Sequence, residues 1–133
     1  MKDSIIVYST IDGQTKKICE KIISTSYQNK SIDMCSVEDV TTFNLNDYSK
    51  IIVGASIRYG KHSPKIYEFV DNNIGILREK FTAFFTVNVV ARKKNKNTPE
   101  TNPYMKKFLE LSNWEPSILG VFAGRIDSVS YTH

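Results

Sequence analysis

The sequence is poor in the residues that most often give away a short chain's chemistry. Its 133 residues include only two cysteines and two histidines, with no CxxC and no recognised ligand spacing, which argues against a disulfide framework, a redox pair or a metal centre. Cys19 and Cys35 fall inside a predicted helix and a predicted strand and read as small core hydrophobes in a reducing compartment. No stretch approaches the roughly 20 apolar residues that a membrane helix requires, and no signal-peptide pattern precedes the first apolar strand. A cytoplasmic protein is therefore expected. Repeats and low-complexity linkers are absent too, so residues 1–133 are expected to form one domain.

Hydrophobic residues make up 41% of the chain, enough for a real core, and the formal net charge of +4 directs attention to an anionic partner such as a lipid surface, nucleic acid or an acidic small molecule. Strand and helix patterns alternate, the signature of a doubly wound α/β sheet. Strands are expected at Ile5-Ile6-Val7, at 31–37, at 51–55, at 81–87 and at 118–123. Between them, helical spacing predicts a helix near 15–28 through Ile18, Cys19, Ile22, Ile23 and Tyr27, and a short turn at 44–49. A helix over 64–78 is capped by Ser63 and Pro64 and buries Ile66, Phe69, Val70, Ile74 and Leu77. Another starts at Asn102-Pro103 and buries Met105, Phe108 and Leu109.

In such a sheet ligands bind beyond the carboxyl ends of the strands, which singles out the loops at 9–15, 56–62 and 88–102. Residues 4–15, SIIVYSTIDGQT, run from a buried strand through hydroxyls and one glycine into a helix. Ser9, Thr10 and Thr15 offer donors, Gly13 admits close backbone approach, and the helix start near Gln14 turns unpaired N–H groups toward the same point. No lysine follows the glycine as in a Walker loop, and a three-glycine dinucleotide fingerprint is absent. The segment suits a tightly held monophosphate, and it also suits an ordinary helix cap made by Asp12 or Thr10. Ser56-Ile57-Arg58-Tyr59-Gly60-Lys61-His62 combines an aromatic, a cation and a glycine, and Asn88-Val89-Val90-Ala91-Arg92 adds an amide, a small-residue ledge and a second cation. Together the three loops describe a flavin mononucleotide (FMN) site. His62 itself reads as a surface residue at a helix entry, and the run Arg92-Lys93-Lys94-Asn95-Lys96 as a solvated loop on the ligand face.

On YSTIDGQT at 8–15, GASIRYG at 54–60, VNVVAR at 87–92 and TPETN at 98–102, the chain resembles the flavodoxin-like, menaquinone-dependent protoporphyrinogen IX dehydrogenases. The resemblance implies a five-stranded parallel sheet of order 2-1-3-4-5. It implies an FMN enzyme that oxidises protoporphyrinogen IX in haem synthesis and passes the electrons to a quinone. Ser9, Thr10, Asp12, Gly13, Gln14 and Thr15 would hold the phosphate. Ala55, Ser56, Ile57, Arg58, Tyr59 and Gly60 would flank the ring together with Asn88, Val89, Val90, Ala91 and Arg92, with Arg58 and Arg92 as the candidate catalytic residues. Family members continue past Gly124 with a basic and aromatic insert, a further strand segment and a last helix, so that last helix is expected to be missing here. The cations in the ring loops oppose the reading as a low-potential flavodoxin-type carrier, because positive charge stabilises a reduced, anionic flavin. That carrier, and a flavin-binding module without turnover, remain the alternatives. The expected partners are the porphyrinogen, the quinone and an anionic membrane surface met peripherally, with no nucleic acid.

Overall fold

Runs of consecutive apolar residues, Ile5-Ile6-Val7 and Ile51-Ile52-Val53, mark the central strands as covered on both faces. In a computed structural model, which describes residues 2–9, 13–24 and 31–123, β1 (Lys2–Ser9) runs parallel to β2 (Ile32–Ser36) and to β3 (Tyr48–Arg58). β3 in turn pairs with β5 (Phe81–Val87), and β5 with β6 (Ile118–Phe122), all parallel. The path β2-β1-β3-β5-β6 is the expected order once the two-residue β4 (Lys61–His62), antiparallel to the end of β3, is set aside. Residues 124–133, where a last helix is expected to be missing, lie outside the described residues, as do 25–30 with Tyr27.

The strands bury side chains on both faces. Ile5, Val7, Ile51, Val53 and Phe84 point toward α2 (Pro64–Asn72), α3 (Ile74–Glu79) and α4 (Pro103–Leu111), where they form one core with Ile66, Phe69, Leu77, Met105, Phe108 and Trp114. Ile6, Tyr8, Phe85, Val87 and Phe122 point the other way and pack with Ile18 and Cys19 of α1 (Gln14–Ser24). On that second face Gly54 sits opposite Phe85, and a Cβ at Gly54 would lie 2.1 Å from the ring. The glycine is there because the aromatic ring takes its space.

Burial pushes the Cys19 thiol up to about 12 and the Cys35 thiol up to about 11. Both are free and buried, the inert hydrophobes the sequence implies. Three expectations change. The helix read over 64–78 breaks at Asn73, whose side-chain amide donates to the Phe69 carbonyl at 2.9 Å and competes with the helical ladder. Leu109, read as buried, is 36% exposed because α4 turns Met105 and Phe108 inward instead. The third is the loop after β3, which is a hairpin. Among the described residues no helix is long and apolar enough to cross a membrane.

Candidate functional site

β1, β3 and β5 end side by side, with Ser9 opposite Ala55 and Ser56 opposite Val87. Ser9 is buried at the end of β1, and Thr15, in the first turn of α1, is fully buried. The hydroxyls of Ser9, Thr15 and Ser56 are all buried and have no hydrogen-bond partner. Leaving one buried hydroxyl unmatched costs roughly 1–3 kcal/mol, so three beside one strand edge call for an explanation outside the chain. Gly13, at φ +86°, precedes α1 and its carbonyl accepts the Lys17 N–H at 3.0 Å, so it stands at the cap position, in a conformation that favours glycine. The first N–H groups of α1 lack an intrahelical partner, and no acidic side chain occupies its first turn. Every feature here prefers an anion with several acceptor oxygens. Thr10 and Asp12, expected in the same cradle, lie outside the described residues, and so does the side chain of Gln14.

Beyond the sheet β3 continues into a hairpin, pairing Ile57 with His62 and Arg58 with Lys61. Its two turn residues, Tyr59 and Gly60, have φ of +51° and +78°. Positive φ at both is the two-residue turn that fits twisted strands, and it leaves the Tyr59 ring 87% exposed at the tip. The side chain of Arg58 lies outside the described residues. The hairpin also corrects His62, which is a buried residue and not a surface one. Its ring meets Phe84 and Phe108 edge-on, and Nε2 is 2.8 Å from the Thr86 hydroxyl. Burial without an acidic neighbour pulls its pKa down to about 4, so it is neutral at physiological pH.

The third loop is organised around amides. The Asn88 side chain donates to Thr86 Oγ1 at 3.2 Å and to Asn102 Oδ1 at 3.1 Å, and its own oxygen accepts from Asn102 Nδ2 at 3.0 Å and from the Ala91 N–H at 3.1 Å. Asn102 also caps α4 through the Tyr104 and Met105 N–H groups and holds the Lys96 carbonyl at 2.9 Å. The Asn88 amide, expected to face a ligand, is thus spent on shaping the loop. Ala91 is buried, Val89 is 65% exposed, and Arg92, Lys93 and Lys94 are exposed on the same segment. Thr86, His62 and Asn102 are contributors that sequence reasoning missed, although Asn102-Pro103 was legible as a helix start.

Among known proteins, the flavodoxin-domain family model matches residues 5–133. A protoporphyrinogen IX dehydrogenase [quinone] of Leishmania major is 40% identical over 124 residues, covering 92% of this chain and 54% of that protein. The enzyme of the same name from Escherichia coli (strain K12) is 37% identical over 124 residues, covering 92% of this chain and 68% of its own length. The chain thus spans about half the length of the first relative and about two thirds of the second. A Lactobacillus acidophilus flavoprotein in complex with FMN has the same fold, with a TM-score of 0.61 at 17% identity over 91% of this chain and 93% of that one.

Proposed function

This chain belongs to the flavodoxin-domain family, and from that premise we propose that it binds FMN at the ends of β1, β3 and β5 and oxidises protoporphyrinogen IX to protoporphyrin IX, with a quinone as electron acceptor. The observation that carries the cofactor is the trio of buried, unpartnered hydroxyls on Ser9, Thr15 and Ser56. Each is an O–H donor with nothing to donate to; a phosphate monoester would bring acceptor oxygens to Ser9 and Thr15 at the positive end of α1, and the ring's carbonyl oxygens would serve Ser56. The named activity of the relatives at 37–40% identity supports the substrate and the acceptor.

FMN, when bound, supplies two-electron redox chemistry. The protein's part is binding, orientation and charge. Ser9, Thr15 and Gly13 hold the phosphate end, with Thr10, Asp12 and Gln14 assigned to the same cradle. Residues 55–60 and 88–92 flank the ring, with Tyr59 as the aromatic side wall and the buried Ala91 as the flat ledge. Asn88 acts at one remove, by fixing the loop. Arg58 and Arg92 supply positive charge where the reduced ring carries negative charge, which favours transfer of electron pairs over service as a low-potential carrier. Lys93, Lys94 and Lys96 hold this cytoplasmic protein peripherally against anionic lipid, where the quinone is dissolved, each contributing about 1 kcal/mol near a charged surface.

The decisive experiment is FMN titration of the apo-protein followed by flavin fluorescence, then protoporphyrin formation with a water-soluble quinone. Quenching that weakens in Thr15→Ala and Gly13→Val supports the cradle. Fluorescence unchanged by excess folded protein overturns the cofactor, and FMN binding without porphyrinogen oxidation overturns the activity.

A further inference from the structure

On the outer side of the 57–62 hairpin, α2 and α4 leave a groove of about 260 Å³. Its walls are Tyr67 and Tyr104, both half-buried, with Leu111, 60% exposed, and His62 also among its lining residues. Tyr67 is held in place by stacking on Phe108, ring centroids 5.5 Å apart. Two cations, Lys61 from the hairpin and Lys107 from α4, complete the lining, which contains no acidic residue. Both lysines are exposed and have no acidic partner among the described residues.

The cleft at the opposite end of the sheet differs. There Arg78 donates to the Asn113 carbonyl and Lys80 to the Asn46 and Tyr48 carbonyls, so its cations are already engaged by backbone. It also contains Glu115. Of these two clefts among the described residues, the groove at the hairpin is the one that joins aromatic walls to uncommitted positive charge.

We propose that this groove binds the carboxylate-bearing edge of the tetrapyrrole, with Lys61 and Lys107 each facing one propionate and the pyrrole planes against Tyr67 and Tyr104. The inference rests on the functional reading above and adds the place where substrate is held. Three observations favour this occupant. Two lysines match the two carboxylates on neighbouring pyrroles, whereas a neutral quinone gains nothing from them. Two separate aromatic walls suit the individual pyrrole rings of a porphyrinogen, which methylene bridges leave puckered and apolar. The volume lies below that of a site enclosing a whole drug-sized ligand, so the groove suits an edge, and the remainder of the macrocycle extends past Gly60, which belongs to the groove and to the ring loop at once.

The test is titration with protoporphyrin IX, followed by its Soret band, on the full chain with and without FMN. Lys61→Gln and Lys107→Gln should each weaken binding about 10-fold and the double variant more. Lys106→Gln, which removes a neighbouring charge that does not line the groove, should leave it unchanged. The dimethyl ester of the porphyrin should bind the parent as weakly as the double variant does. Porphyrin affinity indifferent to both lysines, or equal for acid and ester, overturns the groove. Because the apo-protein is titrated too, failure of FMN to bind counts against the functional reading, and the lysine dependence still decides the groove.

Discussion

Two clusters of buried polar groups lie at the carboxyl edge of the same sheet, and they are built on opposite plans. Around β5, His62, Thr86, Asn88 and Asn102 use one another, the 88–97 loop and the start of α4 as partners. Around β1 and the end of β3, Ser9, Thr15 and Ser56 are equally hidden yet bond to nothing. A satisfied network stabilises the fold that contains it, whereas an unsatisfied one costs stability until a ligand arrives. On the reading proposed above, the first cluster is scaffold and the second receives a ligand. Damage to the first should therefore appear in unfolding experiments, and damage to the second in binding experiments.

The strongest way to break the comparison is Asn102→Ala. It removes the cap of α4, takes one donor and one acceptor partner from the Asn88 amide and orphans the Lys96 carbonyl, so about 3–4 kcal/mol should be lost in urea unfolding. A loss below about 1 kcal/mol would show that the network is not scaffold. The next effect, close in size, is on pH. His62 has a folded pKa near 4 against 6.5 unfolded, so the unfolded chain binds the extra proton first as pH falls. Stability from this residue is complete above about pH 6.5 and declines toward pH 4, by about 3 kcal/mol. His62→Phe should abolish that slope while carrying a fixed cost for the lost Thr86 hydrogen bond, the hydroxyl keeping only the Asn88 amide.

Thr15→Val sharpens the distinction from the other side. It replaces a hydroxyl that has no partner, so apo-protein stability should stay level or rise, while FMN affinity should fall about 10- to 30-fold, or roughly 1.4–2 kcal/mol. A drop in apo stability comparable to that of Asn102→Ala would erase the contrast. The smallest change is expected for Tyr59→Gly at the hairpin tip. Relief of the positive φ should add up to about 1 kcal/mol of stability, with FMN held less firmly for want of the aromatic wall. Calorimetry with and without FMN reads both halves.

The side-chain network around β5 was less legible in the sequence than the outline of the sheet. Alternation of strands and helices announces a doubly wound sheet, whose order the resemblance implies, and the hydroxyl-rich loop at 9–15 suits an anion or an ordinary helix cap by residue type. The hairpin does not announce itself, since β4 has only two residues and Tyr59-Gly60 lacks the Asn-Gly or Asp-Gly signature of its turn. His62 could not be placed because its burial is decided by Phe84 and Phe108, which come from β5 and α4. Asn102 was readable as a cap, but its pairing with Asn88 spans 14 residues and depends on how the loop closes. Local chemistry is written locally, whereas the contacts that tune it are not.

The meeting of Phe85 and Gly54 bears on how the sheet finds its alignment. Phe85 pairs with Gly54 on one side and with Gly120 on the other, so its ring crosses a row with no side chains beside it. A one-residue slip of β5 would turn the ring to the other face. A two-residue slip would keep the face but set it against Ile52 or Ser56, each of which has a Cβ where the ring must lie. Parallel pairing joins distant stretches of chain and is slow to search. The single seat for this ring acts as a proofreader during that search, rejecting near-miss alignments that hydrogen bonding alone would accept.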